Sequence, residues 1–428
     1  MKVKSIFFSS GQIYLMIYYF LILFFIFILY ICGNKSKLNG GNGIFYKVIE
    51  NNSELKIINT QPSILYNKKN IKAFLGSIII FEIYNKIDNN TYKIIRYPDF
   101  RNEIERHSYN HINKYLDFLK KNIIKENEKY ILDFIGFHGI IDNKVNLWIS
   151  LYKKYSRNIA NEIMGETYLI PNDKKLFEKE YNKNNKYILK NSFGGARSGL
   201  SVSNDLKEIL KYFDENKLNN FNPIMCEDAV CHSKVKYNIV QKFIEPSFLY
   251  KGFKMGLRLF LVIKKEKNDL KSYLFKDGGC YYSQKKYNKS STNLDNNVVG
   301  VFAKTNHIIE ENNLPITYKE FEKEIIKTKE GQKKIDNLIS KLKKYCKYII
   351  NSNYEKLSIF NQNNIKSYSI FALDIEFNKE FKPYIFEGNY YFARWNNGKR
   401  GNVISNLYND VYYQLGLKSK QNIGFWNI

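Results

Sequence analysis

Ser369-Ile370-Phe371-Ala372-Leu373-Asp374-Ile375-Glu376-Phe377 and Phe381-Lys382-Pro383-Tyr384-Ile385-Phe386-Glu387-Gly388-Asn389 are two apolar runs separated by the polar triplet Asn378-Lys379-Glu380. Runs bounded in this way read as the two strands of a hairpin. Pairing them sets Asp374 on one strand near Glu387 and Asn389 on the next. The two-residue repeat of strand side chains puts Glu387 and Asn389 on one face. Two carboxylates and an amide oxygen converging there suit a hard divalent cation, and Mg²⁺ needs only one or two protein carboxylates when nucleotide phosphates complete its shell. The same residues also suit an amphipathic hairpin whose acids are merely solvated, so the segments upstream decide between the two.

The first of these is Lys186-Tyr187-Ile188-Leu189-Lys190-Asn191-Ser192-Phe193-Gly194-Gly195-Ala196-Arg197-Ser198-Gly199-Leu200-Ser201-Val202. An apolar strand ends in a lysine, passes through a Gly/Ser-rich loop and returns as a second apolar strand. Glycine lets backbone amides approach phosphate oxygens, and a lysine adds a point charge beside them. A Walker A loop is excluded, since it needs Gly-Lys-Ser/Thr opening a helix. The second is Tyr237-Asn238-Ile239-Val240-Gln241-Lys242-Phe243-Ile244-Glu245-Pro246, followed by Lys254-Met255-Gly256-Leu257-Arg258 at the start of another apolar run. A strand ending Gln-Lys-Phe-Ile offers backbone groups to an adenine edge, and Lys254 and Arg258 bring charge to the same end. A sheet that is simply charged at its surface would look alike.

Taken in order, these segments resemble the tubulin tyrosine ligase and tyrosine-ligase-like family of the ATP-grasp superfamily. The resemblance covers roughly residues 140 to 418. Its glycine loop is matched by Lys190, Ser192, Gly194, Gly199 and Leu200, and its Val-Gln-Lys-Tyr-Ile strand by Val240-Gln241-Lys242-Phe243-Ile244. Its Lys-Phe-Asp-Ile-Arg becomes Lys254-Met255-Gly256-Leu257-Arg258, its Thr-Asn pair is Thr305-Asn306, and Asp374, Glu387 and Asn389 keep the family spacing. Glu166-Thr167-Tyr168-Leu169-Ile170-Pro171-Asn172-Asp173 and the helix-like run from Val403 to Gly416 also look like family segments.

The resemblance implies an α+β ATP-grasp fold, two lobes clasping ATP behind a small leading α/β subdomain, with ATP and Mg²⁺ as cofactors. Lys190 and Lys254 would hold phosphates, with Ser192, Gly194, Gly199, Thr305 and Asn306 contributing to the nucleotide cradle. Gln241, Lys242, Phe243 and Ile244 would line the adenine, and Asp374, Glu387 and Asn389 would hold the metal. Arg258 would steady an acylphosphate or grip the acceptor carboxylate. The implied reaction joins an amino acid to a protein carboxylate, with acidic tubulin-like tails as the family's usual acceptors. Departures stand beside these matches. The family's acid two residues before the arginine is Gly256 here, an expected arginine falls on Tyr281, and an expected histidine falls on Ala303. After Asn389, Tyr390-Tyr391-Phe392-Ala393-Arg394-Trp395 replaces the usual small residues and proline. One metal rather than two is therefore expected.

With 428 residues, the chain can bury a large core in two or three subdomains. Its 67 basic and 41 acidic residues give a formal charge of +26. That excess suits an acidic protein tail, an anionic lipid surface or a nucleic acid. It also suits a background rich in Lys, Asn, Ile and Tyr, and no RNP box or zinc finger favours nucleic acid.

Between Ser5 and Asn34 no residue is charged, and Ile13 to Cys32 is continuously apolar. A run of roughly 20 apolar residues is enough to cross a bilayer as a helix. Residues 13–32 are thus expected to form a single membrane anchor, preceded by a short tail, residues 1–12, and followed by a Gly/Asn/Lys linker, residues 33–43. Lys2 and Lys4 on one side and Lys35 and Lys37 on the other leave orientation open. Because ATP is cytosolic, the ligase reading places the body in the cytoplasm.

Downstream, residues 44–145 read as the leading α/β subdomain, 146–245 as the central lobe and 246–428 as the C-terminal lobe. Helices are expected over 146–164, 203–217 and 318–351, and 285–297 reads as a polar loop. The five cysteines form no disulfide framework, and Cys226, Cys231 and His232 lack the second ligand pair of a zinc site. Three functions remain open: a membrane-anchored carboxylate–amine ligase, a catalytically silent relative that still binds nucleotide or an acidic tail, and a ligase for a small carboxylic acid.

Overall fold

A computed structural model of the chain describes residues 55–63, 78–95, 119–121, 123–135, 139–192, 199–218, 235–266, 269–299, 305–357, 364–390 and 398–428. The expected anchor at 13–32, the cysteine pair with His232, Gly194 and Ala303 lie outside these residues. Among the described residues no helix is long and apolar enough to cross a membrane.

The fold is mixed α+β. Its strands in chain order are β1 (Leu55–Ser63), β2 (Ile78–Asn85), β3 (Asn90–Ile95), β4 (Lys129–Leu132), β5 (Thr167–Leu169), β6 (Tyr187–Lys190), β7 (Leu200–Ser203), β8 (Ile239–Lys242), β9 (Leu249–Tyr250), β10 (Phe253–Glu266), β11 (Asp269–Tyr282), β12 (Ile365–Phe377), β13 (Pro383–Asn389) and β14 (Phe425–Asn427). A large sheet has the order β1-β2-β3-β4-β12-β10-β11-β14, with β13 added beside β12 and β9 beside β10. A smaller sheet has the order β5-β8-β6-β7. The leading strands are continuous with the C-terminal ones, because β4 pairs in parallel with β12, Tyr130 opposite Ile365.

The long central strands β10 and β12 alternate, and each face has a distinct use. Leu257, Leu259, Leu261, Ile263, Phe371, Leu373, Ile375 and Phe377 point into one core. That core is closed by helices Lys144–Lys154, Arg157–Met164, Tyr318–Ile325 and Lys329–Ser352, whose buried positions belong to it. On the opposite face Phe260, Val262, Ile370 and Ala372 pack under helix Gly398–Gln414 through Val403, Ile404 and Leu407. Further along that second face the apolar residues stop. Gly256 and Arg258 of β10 stand opposite Glu376 and Asp374 of β12 in the strand register, and Lys254, next along that face of β10, pairs with Glu376. One face of one sheet is thus core at one end and charged at the other.

Two expected helices are each split by a polar N-cap. The 146–164 stretch breaks at Tyr155, because Ser156 Oγ accepts from the Ile159 N–H and starts a second helix at Arg157. The 318–351 stretch breaks between Ile325 and Lys329, where Thr328 caps the longer helix and Thr317 with Glu320 forms a capping box on the shorter one. Uninterrupted apolar periodicity hides such breaks, since the caps are single hydroxyl residues. The expected 285–297 loop ends in a short helix, Leu294–Asn297.

Candidate active site

The hairpin β12–β13 aligns Asp374 with Glu387 and Glu376 with Tyr384, but the register slips between Asp374 and Ile375. Ile375 faces Ile385, so Phe386 is an extra, bulged residue. A bulge re-aims the side chains around it. Here the Phe386 ring lies 4.0 Å from Lys190 Nζ of the small sheet, so the bulge brings an aromatic face under a lysine next to Glu387. Asn389 Nδ2 then donates to Asp374 Oδ2 at 3.0 Å and to Glu387 Oε1 at 3.2 Å.

Both carboxylates carry a cationic partner. Arg258 grips Asp374 bidentately, Nε to Oδ1 at 2.6 Å and Nη2 to Oδ2 at 2.7 Å. Lys144 forms an ion pair with Glu387. Lys144 is the first residue of helix Lys144–Lys154, whose N-cap Asn143 accepts from the Val145 and Asn146 N–H groups. A lysine there opposes the helix dipole, which makes its pairing with Glu387 the more telling. The approach depends on Gly388: a Cβ at that position would sit 2.6 Å from Ile141 Cγ2. Burial pushes the Asp374 carboxyl up, against the pull of Arg258. Burial also acts on Glu387, but the Lys144 ammonium together with hydrogen bonds from Asp374 and Asn389 outweighs it and holds that carboxyl well below the usual range.

The small sheet supplies the facing lysine. Lys190, at the end of β6, is 7% exposed and donates to Gln241 Oε1 at 2.6 Å. Burial draws its ammonium down to about 7, with the charge of Glu376 the largest influence opposing that fall. Gln241 is itself fixed, its amide Nε2 donating to Thr167 Oγ1 at 2.8 Å and also to the Met164 carbonyl. The Gln241 side chain therefore holds Lys190 in place; only the backbone of this strand end remains for an adenine edge. Lys242 is half-exposed and pairs with Glu166 at 3.2 Å. Phe243 is buried, with Lys254 Nζ 3.9 Å and Lys186 Nζ 4.9 Å from its ring centroid, and Ile244 follows it, also buried.

The loop after Lys190 is tied off by the Asn191 N–H, which donates to the Gly199 carbonyl at 2.9 Å. Gly199 has φ +68°, a left-handed conformation that glycine adopts without strain. Beside Asn191 the Ser192 N–H donates to Asn238 Oδ1 at 2.7 Å, while Ser192 Oγ is buried with no hydrogen-bond partner among the described residues. Thr305 is fully buried ahead of helix Asn306–Glu311, whereas Asn306 is exposed on its first turn.

The structure thus gathers Lys190, Gln241, Lys254, Arg258, Asp374, Glu387 and Asn389 on facing surfaces of the two sheets. It adds residues that the sequence reading did not assign: Lys144, Glu376 and Arg400. Glu376 pairs with Lys254 at 2.7 Å. Arg400, buried on helix Gly398–Gln414, lies 4.7 Å from the Tyr281 ring centroid, and Arg258 lies 5.1 Å from the same ring. Its guanidinium also donates to the Cys280 carbonyl, and burial draws it down to about 10. The strand alternation that aligned Glu387 with Asn389 also aligns Glu376 with Asp374; that was the available signal for Glu376. Nothing local marks Lys144 or Arg400.

The sequence model of the Tubulin-tyrosine ligase family matches residues 119–392. That span is well over half of the 428 residues, and the chain belongs to this family. Among solved structures, the C-terminal domain of Pby1 from K. lactis, described as an ATP-grasp enzyme interacting with the mRNA decapping enzyme Dcp2, is similar at 15% identity and a TM-score of 0.46, over 73% of this chain and 84% of that one.

Proposed function

We propose that this chain is an ATP-dependent carboxylate–amine ligase of ATP-grasp architecture that joins an amino acid to a carboxylate on an acidic protein tail. The observation that supports it best is the meeting of Lys190 from the small sheet with Lys254, Arg258, Asp374, Glu387 and Asn389 from the large one. Membrane attachment through residues 13–32 is part of the proposal and rests on the sequence, and a cytoplasmic body follows from the ligase reading because ATP is cytosolic.

The donor set fits a divalent cation with a nucleotide. Two carboxylates and an amide share one patch, with Lys144 paired to Glu387 and Lys190 against the Phe386 ring beside it. Asp374, Glu387 and Asn389 would hold Mg²⁺, which when bound supplies Lewis-acid charge at the transferring phosphoryl group. Lys190 and Lys254 would neutralise phosphate oxygens, and the dry environment of Lys190 strengthens that contact. In the first step an acceptor carboxylate oxygen bonds to the γ-phosphorus as the bond to the β-phosphate oxygen breaks, leaving ADP. In the second, the amine attacks the acyl carbon, phosphate departs and the amine gives up a proton. Charge builds on oxygen in both steps, so positioned cations matter more than a nucleophile. Arg258, whose planar fork already holds Asp374, suits the acyl oxygen or the incoming carboxylate.

A second reading, a silent relative that binds without turnover, is favoured by Gly256, by Tyr281 between two guanidinium groups, and by the pairing of both carboxylates with Arg258 and Lys144. Incubating the chain with ATP, Mg²⁺, a glutamate-rich peptide and labelled amino acids separates the two. Label in the peptide matched by equal ADP supports the ligase. ADP without label moves the acceptor to another carboxylate, and ATP binding without ADP supports the silent relative.

A further inference from the structure

Gly256 gives the charged face of β10 no side chain at that position, and the strand register shows what stands across from it. Gly256 is paired with Glu376 of β12, two residues beyond the Arg258–Asp374 pair. Residues directly opposite on antiparallel strands project to the same side with their Cβ atoms close together. A side chain at 256 would be crowded: its Cβ would lie 3.1 Å from the Ile375 carbonyl oxygen and 3.5 Å from Val299 Cγ2. A carboxylate can therefore reach this part of the face from β12 more easily than from β10.

We propose that Glu376 is a positioning residue of the nucleotide site, holding Lys254 in place from across the sheet where position 256 offers no side chain. Its carboxylate meets Lys254 Nζ at 2.7 Å. Lys254 is 4% exposed, and its ammonium is held between Glu376 and the Phe243 ring, 3.9 Å from the centroid. On the same face of β12, Ile370 and Ala372 show that apolar residues suffice where the strand is only structural. A half-buried acid here carries a desolvation cost that an apolar residue avoids. The geometry gives that acid a use: it fixes a phosphate-facing lysine that would otherwise swing on four methylenes. The inference rests on the nucleotide-binding part of the proposed function.

The test is a double-mutant cycle on Mg²⁺-dependent ATP affinity in the whole chain, using Glu376→Gln, Lys254→Met and the pair, with thermal melting as a check on folding. Glu376→Gln is expected to weaken ATP on the order of tenfold, and that loss should vanish when Lys254 is already Met. Glu376→Asp, which keeps the charge on a shorter stem, should fall between native and Glu376→Gln. If Glu376→Gln does not fold, Glu376→Asp carries the same cycle with a smaller loss. Unchanged affinity in the folded Glu376 variants overturns the proposal. Equal losses in both backgrounds overturn it too, since they mean direct contact with the ligand. Native protein that does not bind ATP removes the nucleotide reading itself, a result distinct from either.

Discussion

Lys144, at the first turn of its helix, is ion-paired with Glu387 on β13, so the helix that follows the leading strands reaches into the hairpin that carries the acids. The ammonium stands on a carboxylate that the ligase reading gives to a divalent cation. The two cations therefore compete. Lys144→Met is expected to bind Mn²⁺ on the order of tenfold more tightly without nucleotide. It should also be destabilised by about 3 kcal/mol in chelator, because a mostly buried carboxylate loses its partner. Added Mg²⁺ should restore much of that loss. Melting curves with and without metal check this; a variant as stable as native in chelator counts against the competition.

Lys190 makes nucleotide binding dependent on pH. Burial draws its ammonium from 10.5 to about 7, so in the unbound chain it is charged below that pH and neutral above it. Phosphate favours the charged form, so binding above about pH 7 must take up a proton. ATP affinity should fall by up to about tenfold per pH unit there. Calorimetry in buffers of different ionisation enthalpy should show uptake approaching one proton at pH 8 in native protein and little in Lys190→Arg.

Gln241 joins Lys190 to the Met164 carbonyl and to Thr167. Replacing it with Leu keeps the volume but strands these partners in a buried place. Stability should drop by about 1–3 kcal/mol, and ATP affinity should drop with it as Lys190 loses its acceptor. Urea unfolding and ATP titration on the same samples measure both. A loss of stability with full affinity would make Gln241 structural only.

Gly388 permits the close approach of Ile141 to β13, and with it the approach of Lys144 to Glu387. Gly388→Ala should cost about 1–3 kcal/mol through overpacking and should weaken metal binding more than Leu-to-Met changes elsewhere in that core. A Gly388→Ala protein with native metal affinity would show that the segment can shift without disturbing the acids.

Strand alternation puts Glu387 and Asn389 on one face, but the bulge at Phe386 is what turns that face to Asp374, since an unbroken register from Ile375 and Ile385 would set Phe386 opposite Asp374. Alternation did not reveal the bulge at Phe386, which depends on the pairing of two strands rather than on either one alone. Lys144 lay beyond reach because its partner is distant in sequence and a lysine beginning a helix has no local advantage. The parallel pairing of β4 with β12 was hidden for a similar reason, so the leading strands read as a separate subdomain although they extend the same sheet. Gln241 was correctly placed at a strand end, but which way its amide turns depends on Lys190, Met164 and Thr167, brought together only by folding.

The central claim is that Lys190 and Glu387 face one nucleotide from opposite sheets. Titrating ATP into the native chain, Glu387→Gln and Lys190→Ala, each with Mg²⁺ and with chelator, tests it most directly. Native protein should bind only with Mg²⁺, Glu387→Gln should lose that metal dependence, and Lys190→Ala should lose affinity by tenfold or more, about 1.4 kcal/mol. Failure of the native chain to bind, or equal affinity in all three, would contradict the account.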